Sequence, residues 1–299
     1  MQRAMAWILG ATMLAQMAPA QAPLVTATPE ATVAPAGPQF ALGAMNVYRR
    51  FAPAQTAKMV DFYQKVLALK PLQPIQLDPS QQIILFAIGR GQIKLAPGLK
   101  ADRRYHLGGV HEGTGIRLFA LTYADDRALA ARFREAGYPA PTFRDLGDGR
   151  RAALVQDPGG FTLELIIDPD GASSGVDVGI NVADLDKSRA FYRSFVGLEE
   201  LPPMRDGVLG VTKYPFRHGE TTISLWSIGK KLPADTGSAG IQYVIGNVDA
   251  VNARALAEHV TVETPLGGLP NFNVRFVWLN DPDGVTNYFA QPGPKPAGQ

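Results

Sequence analysis

Two segments of this chain recur at one interval, and that repetition limits its possible folds more than any other feature. Phe62-Tyr63-Gln64-Lys65-Val66-Leu67-Ala68-Leu69 is echoed by Phe191-Tyr192-Arg193-Ser194-Phe195-Val196-Gly197-Leu198. Asp157-Pro158-Gly159-Gly160-Phe161 is echoed by Asp281-Pro282-Asp283-Gly284-Val285. Both pairs lie roughly 125–130 residues apart, so most of the chain is a duplication of one unit. Each unit divides again. Its first half carries a Phe-Tyr helix, and its second half carries a helix followed by an Asp-Pro-x-Gly turn.

Periodicity supplies the parts of each quarter. Val176, Val178, Ile180 and Val182 alternate with Asp177, Gly179, Asn181 and Ala183, which predicts a half-buried strand. Leu185, Ser188, Phe191, Tyr192, Phe195 and Val196 then follow helical spacing, with Asp184 or Asp186 available as N-cap. The first quarter repeats this with Met45 and Val47, then Met59, Phe62, Tyr63, Val66 and Leu67. In the second, Ile116, Leu118 and Ala120 precede a helix predicted over 126–136 and stopped by Gly137. In the fourth, Ile241, Tyr243 and Ile245 precede a helix predicted over 248–258. Short β-rich runs follow each helix, among them 82–88, 92–96, 151–156 and 221–227. The module is strand, helix, then about three strands, used four times.

Composition narrows the function classes. The chain has 299 residues, 46% apolar and 19% charged, which supplies a packed core and excludes global disorder. Net charge is +2 with no basic run, so no nucleic-acid partner is expected. Cysteine is absent, which removes disulfides, thiolate metal sites, iron–sulfur clusters and cysteine nucleophiles together. Any histidine-rich metal centre must draw on His106, His111, His218 and His259. The first two lie with Glu112 in a glycine-rich connection, and the last two are expected to face solvent. No Gly-x-Ser-x-Gly elbow or Walker A motif occurs, and Gly89-Arg90-Gly91 lacks a third glycine.

The N-terminus reads as a targeting segment. Arg3, an apolar stretch over 4–17 and Ala18-Pro19-Ala20 fit a cleavable signal peptide over 1–22, with Ala20-Gln21-Ala22 as a second cleavage option. The apolar stretch is shorter than the ~20 residues a membrane span needs. Residues 23–41 read as a flexible Pro/Ala/Thr linker, and 292–299 as a similar tail. A periplasmic or secreted protein without a membrane span in its mature chain is the expectation.

Taken together these segments resemble the vicinal oxygen chelate superfamily, which includes glyoxalase I, bleomycin-resistance proteins and extradiol dioxygenases. The resemblance rests on Asp184-Leu185-Asp186-Lys187-Ser188-x-x-Phe191-Tyr192 ending in Gly197-Leu198, and on Asp157-Pro158-Gly159-Gly160-Phe161-x-x-Glu164-Leu165. It implies an α+β fold of four βαβββ modules paired into two cupped mixed β-sheets, with helices on the outer face. With sequential pairing, residues 42–168 form one domain and cup, and 175–291 the other. The family's cofactor is a divalent metal, held by residues of the first strands, usually His, and by a Glu on the last strand.

Strand alternation then selects the cup-facing residues. The first cup would hold Glu164, as the matching carboxylate, with Asn46 or Tyr48, Lys94, and Arg117 (or Leu118 one residue on). Phe161, Leu163 and Leu165 should go to the helix side, which sends Thr162, Glu164 and Ile166 to the hollow. The second cup would hold Asp177 where the family has His, with Ser224, Gln242 and Tyr288. No histidine falls on a ligand strand, so no metal cofactor is expected. Glu164 becomes a hydrogen-bond acceptor or general base near Lys94 and Arg117, which would hold an anion. Three functions follow: a metal-free small-molecule binder of the bleomycin-resistance type, a lyase, isomerase or dioxygenase of the superfamily, or an exported scaffold. A monomer or homodimer is expected in each case.

Overall fold

The computed structural model describes residues 37–146, 149–171, 175–229 and 231–294. The signal peptide expected over 1–22, the linker as far as residue 36 and the tail beyond 294 lie outside the described residues.

Four strand-helix-strands modules follow one another. The first comprises β1 (Asn46–Phe51), α1 (Thr56–Asp61), β2 (Lys70–Asp78), β3 (Gln81–Ile88) and β4 (Gly91–Pro97). The second comprises β5 (Gly115–Tyr123), α2 (Asp126–Glu135), β6 (Arg144–Asp145), β7 (Arg151–Gln156) and β8 (Thr162–Ile167). The third has β9 (Asp177–Asn181) and α3 (Leu185–Ala190), a broken second strand made of β10 (Glu199–Glu200) and β11 (Met204–Asp206), then β12 (Val211–His218) and β13 (Thr221–Trp226). The fourth comprises β14 (Ala239–Val244), α4 (Val248–Ala257), β15 (Val262–Leu269), β16 (Val274–Asn280) and β17 (Thr286–Pro292).

Local chemistry sets the helix ends. Asp184 is the N-cap of α3, its carboxylate accepting from Lys187 N–H at 3.1 Å, and Asp125 caps α2 in the same way. Beyond α2, Gly137 adopts φ +79°, the left-handed conformation that closes a helix. Both Phe-Tyr segments leave α-helical spacing and form π-helical turns, Phe62–Val66 and Phe191–Phe195. Phe62 and Tyr63 are both buried there, as are Phe191 and Tyr192.

The modules do form two curled mixed sheets, but not in sequential pairs. One sheet runs β15-β16-β17-β14-β1-β4-β3-β2 and so joins modules 1 and 4. The other runs β10-β12-β13-β9-β5-β8-β7-β6 and joins modules 2 and 3. The expected cups over 42–168 and 175–291 are therefore corrected: each duplicated unit contributes one module to each sheet. Connection length explains the choice. Only 168–176 separate β8 from β9, and these modules become antiparallel neighbours, Phe119 opposite Val178. The longer connections 98–114 and 227–238 cross between the sheets and bring β14 back to β1, Val47 opposite Ile241.

The convex faces of both sheets and all four helices bury one continuous apolar core, with Val47, Phe62, Phe119, Leu163, Tyr192, Ile241 and Phe289 among its members. Consecutive modules do meet here. Arg132 of α2 donates to Val66 O at 3.0 Å, and Arg254 of α4 donates to Ser194 O at 2.8 Å. His218, expected in solvent, is buried on this side, its ring 4.3 Å from Phe40, and burial pushes its pKa down to about 4. His259 is exposed as expected. Among the described residues no helix is long and apolar enough to cross a membrane.

The cross-pairing makes a direct prediction. Residues 37–171 expressed alone would expose the β1 and β5 edges and should aggregate or self-associate, whereas co-expression with 175–294 should yield a soluble complex. A monomeric, cooperatively unfolding first half, seen by light scattering and urea titration, would contradict the arrangement.

Candidate functional site

Each concave face repeats one construction: two first strands form the central seam, and a last strand flanks each side. In the 1–4 cup the seam aligns Asn46 with Gln242 and Tyr48 with Gly240. The flanking strands align Lys94 with Tyr48, and Tyr288 with Gln242. In the 2–3 cup the corresponding residues are Leu118, Asp177, Gly179, Glu164 and Ser224. The residues expected to share a cup are thus redistributed: Asn46, Tyr48 and Lys94 keep company with Gln242 and Tyr288, while Glu164 joins Asp177 and Ser224.

Glu164 faces its hollow, as alternation requires, because Leu163 and Leu165 belong to the core. Its neighbour is neither Lys94, which belongs to the other sheet, nor Arg117. A bulge between Ile116 and Leu118 shifts the register, so Leu118 takes the cup position. Arg117 turns instead to the crossing connection and donates to His106 O at 2.8 Å and Gly109 O at 3.0 Å. The cation beside Glu164 is Lys213 of β12. Its Nζ lies 3.0 Å from Glu164 Oε2 and 2.6 Å from Asp206 Oδ2. Because β13, β9 and β5 separate β12 from β8 in the sheet, this ion pair spans the hollow.

A cavity of about 220 Å³ remains there, lined by Glu164, Lys213, Asp177, Arg150, Ser224 and Thr222 among others. Burial raises the Glu164 carboxyl against the opposing pull of Lys213. Asp177 is raised to about 6, again chiefly by burial, although its Oδ1 accepts from Thr222 N–H at 2.7 Å. Burial alone would lower Lys213, but its two carboxylates together raise it. Val110, Leu209, Val211 and Trp226 pack with Leu118 and Ala120 as an apolar plug in the same cup. Gly179 is required at this spot, since a Cβ would sit 2.8 Å from both the Leu118 and Trp226 side chains.

The 1–4 cup differs. Asn46 Nδ2 donates to Gln242 Oε1 at 3.1 Å, which leaves Asn46 Oδ1 buried without a protein partner. Trp278 Nε1 and Asn280 Oδ1, on the same face of β16, are also buried without one. Tyr48, Trp278 and Tyr288 line the wall, with ring centroids 6.3 Å apart for Tyr48–Trp278 and 5.2 Å for Trp278–Tyr288. The Tyr48 ring lies over Gly240, where a Cβ would overlap it. Burial raises both phenols to about 12, so they remain hydrogen-bond donors.

Charge in this cup is unbalanced. Arg50 stands 5.6 Å over the Tyr48 ring and Lys100 4.4 Å over Trp278. Glu263 is already held by Arg103 and by the Thr286 hydroxyl, which donates at 2.6 Å. Lys94 is half-buried, has no hydrogen-bond or ion-pair partner among the described residues, and burial pushes its amine down to about 8. Lys213, Asp206, Arg50, Trp278 and Asn280 were missed from sequence. The alternation Val211-x-Lys213-x-Pro215 and Phe276-x-Trp278-x-Asn280 is the only signal in the sequence for Lys213, Trp278 and Asn280.

A profile of the Glyoxalase/Bleomycin resistance protein/Dioxygenase superfamily matches residues 50–165 and 176–289, one match per duplicated unit. The chain belongs to that superfamily. It is 25% identical over 244 residues to a lactoylglutathione lyase of Arabidopsis thaliana, covering 76% of this chain and 84% of the relative. It is 28% identical over 190 residues to a lactoylglutathione lyase of Oryza sativa subsp. japonica, covering 58% and 64%. The fold is shared with the crystal structure of glyoxalase I from Zea mays, at TM-score 0.63 and 20% identity over 83% of this chain and 92% of that one.

The superfamily's divalent metal finds a poor donor set in either cup. The 1–4 cup offers two mutually bonded carboxamides, a phenol that stays protonated and an amine. The 2–3 cup offers Ser224, an Asp177 that already accepts from Thr222 N–H, and Glu164 and Asp206, whose charges are both met by Lys213. Neither set supplies three convergent anionic or imidazole donors.

Lys213 holds two carboxylates together, so Lys213→Met should cost about 3–5 kcal/mol near pH 8 by leaving them unpaired. Folded Glu164 sits above its unfolded pKa, so its ionised form costs stability as pH rises through that range. The penalty of the variant should therefore shrink between pH 8 and pH 5, because Glu164 without Lys213 takes up a proton more readily. Urea titrations at both pH values check this, and a pH-independent loss below about 1 kcal/mol would contradict it.

Proposed function

We propose that this superfamily member binds a small planar anion in the 1–4 cup without a metal, and that it does so as an exported protein of the bleomycin-resistance type. The observation that carries the reading is an unpaired Lys94 on the same concave face as Trp278, whose Nε1–H donor is buried without a protein partner, beside the aromatic wall of Tyr48 and Tyr288. A buried polar atom is costly unless something satisfies it, and an aryl carboxylate offers acceptors for cations and a face for the rings. The 2–3 cup suits this role less, since Lys213 already serves Glu164 and Asp206. That relatives are named lyases supports a small-molecule cup here. Export rests on Arg3, the apolar stretch and Ala18-Pro19-Ala20.

After dialysis against EDTA, 4-methylbenzoate should raise Tm and quench Trp278 fluorescence, and Lys94→Met should weaken the affinity roughly tenfold or more. Binding that disappears with the chelator and returns with Zn²⁺ or Ni²⁺ would refute the metal-free reading. N-terminal sequencing of protein from the periplasm or medium should begin at Gln21 or Pro23, and an intact Met1 would refute export.

A further inference from the structure

We propose that residues 99–103 form a flap over the 1–4 cup, and that an anion bound beneath it holds the flap shut. The inference rests on the reading that this cup binds an anion, and adds a moving part to it. Among the described residues, only side chains join the flap to the cup. Lys100 lies 4.4 Å over the ring of Trp278 on β16. Arg103 pairs with Glu263 of β15 and donates to the Thr286 hydroxyl at 2.7 Å, the side chains of the ion pair being only 9% and 8% exposed. The backbone is pinned on either side instead. Gly98 N–H donates to Phe51 O at 2.9 Å, and Arg104 exchanges two hydrogen bonds with Thr236, at 3.2 and 3.0 Å. Between these anchors the chain makes one turn, Arg103 N–H donating to Lys100 O at 3.2 Å, with Leu99, Ala101 and Asp102 exposed. Gly98 adopts φ +113° with open space where a Cβ would sit, which makes it a ready hinge.

Charge decides which state the flap prefers. Closure gathers Arg50, Lys100 and Arg103 around Glu263, with the exposed Asp102 the other carboxylate near Lys100. Arg50 is buried, and among the described residues its guanidinium has no hydrogen-bond or ion-pair partner; it meets only the Tyr48 ring, at 5.6 Å. Burial, and after it the charge of Arg50, holds the Lys100 amine below the usual lysine range. The closed flap therefore keeps like charges together, and the Glu263 latch offsets only part of their repulsion. An anion between Arg50 and Lys100 removes the rest and shifts the population toward closure. Without it the flap opens more often and uncovers the face of Trp278 that Lys100 covers. The ligand both enters past the flap and keeps it down.

The test follows hydrogen exchange of the full mature chain by mass spectrometry, after EDTA dialysis, with and without saturating 4-methylbenzoate. The amides of Lys100 and Arg103 are hydrogen-bonded in the closed flap, so the peptide that holds them should exchange about fivefold more slowly with the ligand bound. Acrylamide quenching adds a readout without ligand. Trp226 is fully buried, so the quenchable fluorescence belongs to Trp278. Glu263→Gln breaks the latch while leaving Lys100 in place, and should raise that quenching about twofold or more. If 4-methylbenzoate raises Tm but leaves the exchange of this peptide unchanged, the flap is overturned and the binding reading stands. Quenching unmoved by Glu263→Gln also overturns the flap alone. If 4-methylbenzoate neither raises Tm nor slows the exchange, both readings fall. The exchange measurement uses the unsubstituted chain and so decides the matter even where Glu263→Gln does not fold.

Discussion

Everything in this molecule hangs on two antiparallel seams, β1 against β14 and β5 against β9. In each cup the seam strands are the first strands of their modules, and the last strands flank them in parallel. That arrangement places four strands side by side with their cup-facing residues in register, which is why a cup can gather four side chains from distant parts of the sequence. Because the seams pair module 1 with 4 and 2 with 3, each cup needs both duplicated units. The antiparallel hydrogen bonds across the seams thus couple the halves of the chain, and the core on the convex side couples them again.

The Asp-Pro-x-Gly turns bind the helices to this frame. Asp157 Oδ1 accepts from Gly159 N–H and Phe161 N–H at 2.8 and 3.0 Å, and its Oδ2 accepts from Tyr63 OH at 3.2 Å. Asp281 repeats the pattern, taking Asp283 and Val285 N–H at 2.9 Å and Tyr192 OH at 2.9 Å. The π-helical turns and the aspartate turns are therefore one device, in which the Tyr of a first module reaches the turn of the next. The copies differ in one respect. Arg49 neutralises Asp157 at 3.0 Å, and among the described residues Asp281 has no ion-pair partner. Burial raises Asp281 to about 7, so where Asp157 has an arginine beside it, Asp281 takes up a proton as pH falls through neutrality.

This division also shows what was legible in the amino-acid sequence. The modules were, because period-2 and helical spacing depend only on neighbours along the chain, and the repeated Phe-Tyr and Asp-Pro motifs marked their order. The direction of Glu164 was as well, since Leu163 and Leu165 could only face the core. Which modules share a cup was not, because local pattern does not record strand partners, and sequential pairing was the simpler assumption. Arg117 failed for a local reason, a one-residue bulge that no alternation reveals. Lys213 failed for a non-local one. It reaches Glu164 across a curled sheet over three intervening strands, and curvature is a property of the assembled sheet.

The two cups are copies of one construction that have settled their charges in different ways. In the 2–3 cup a lysine from the wall meets the acidic residue of the last strand, and an apolar cluster that includes Trp226 packs beside it. Such a pair offsets its own desolvation and gives an incoming ion little to gain. In the 1–4 cup the last-strand position carries Tyr288 instead of an acid, so Lys94 across the seam has nothing to pair with. An unpaired, half-buried amine is a standing cost to the fold. A negative charge brought to Lys94 would offset that cost, whereas the paired Lys213 of the 2–3 cup has none to offset. The asymmetry between the cups lies in both flanking strands together: tyrosine at 288 where the other copy has glutamate at 164, and lysine at 94 where the other copy has serine at 224.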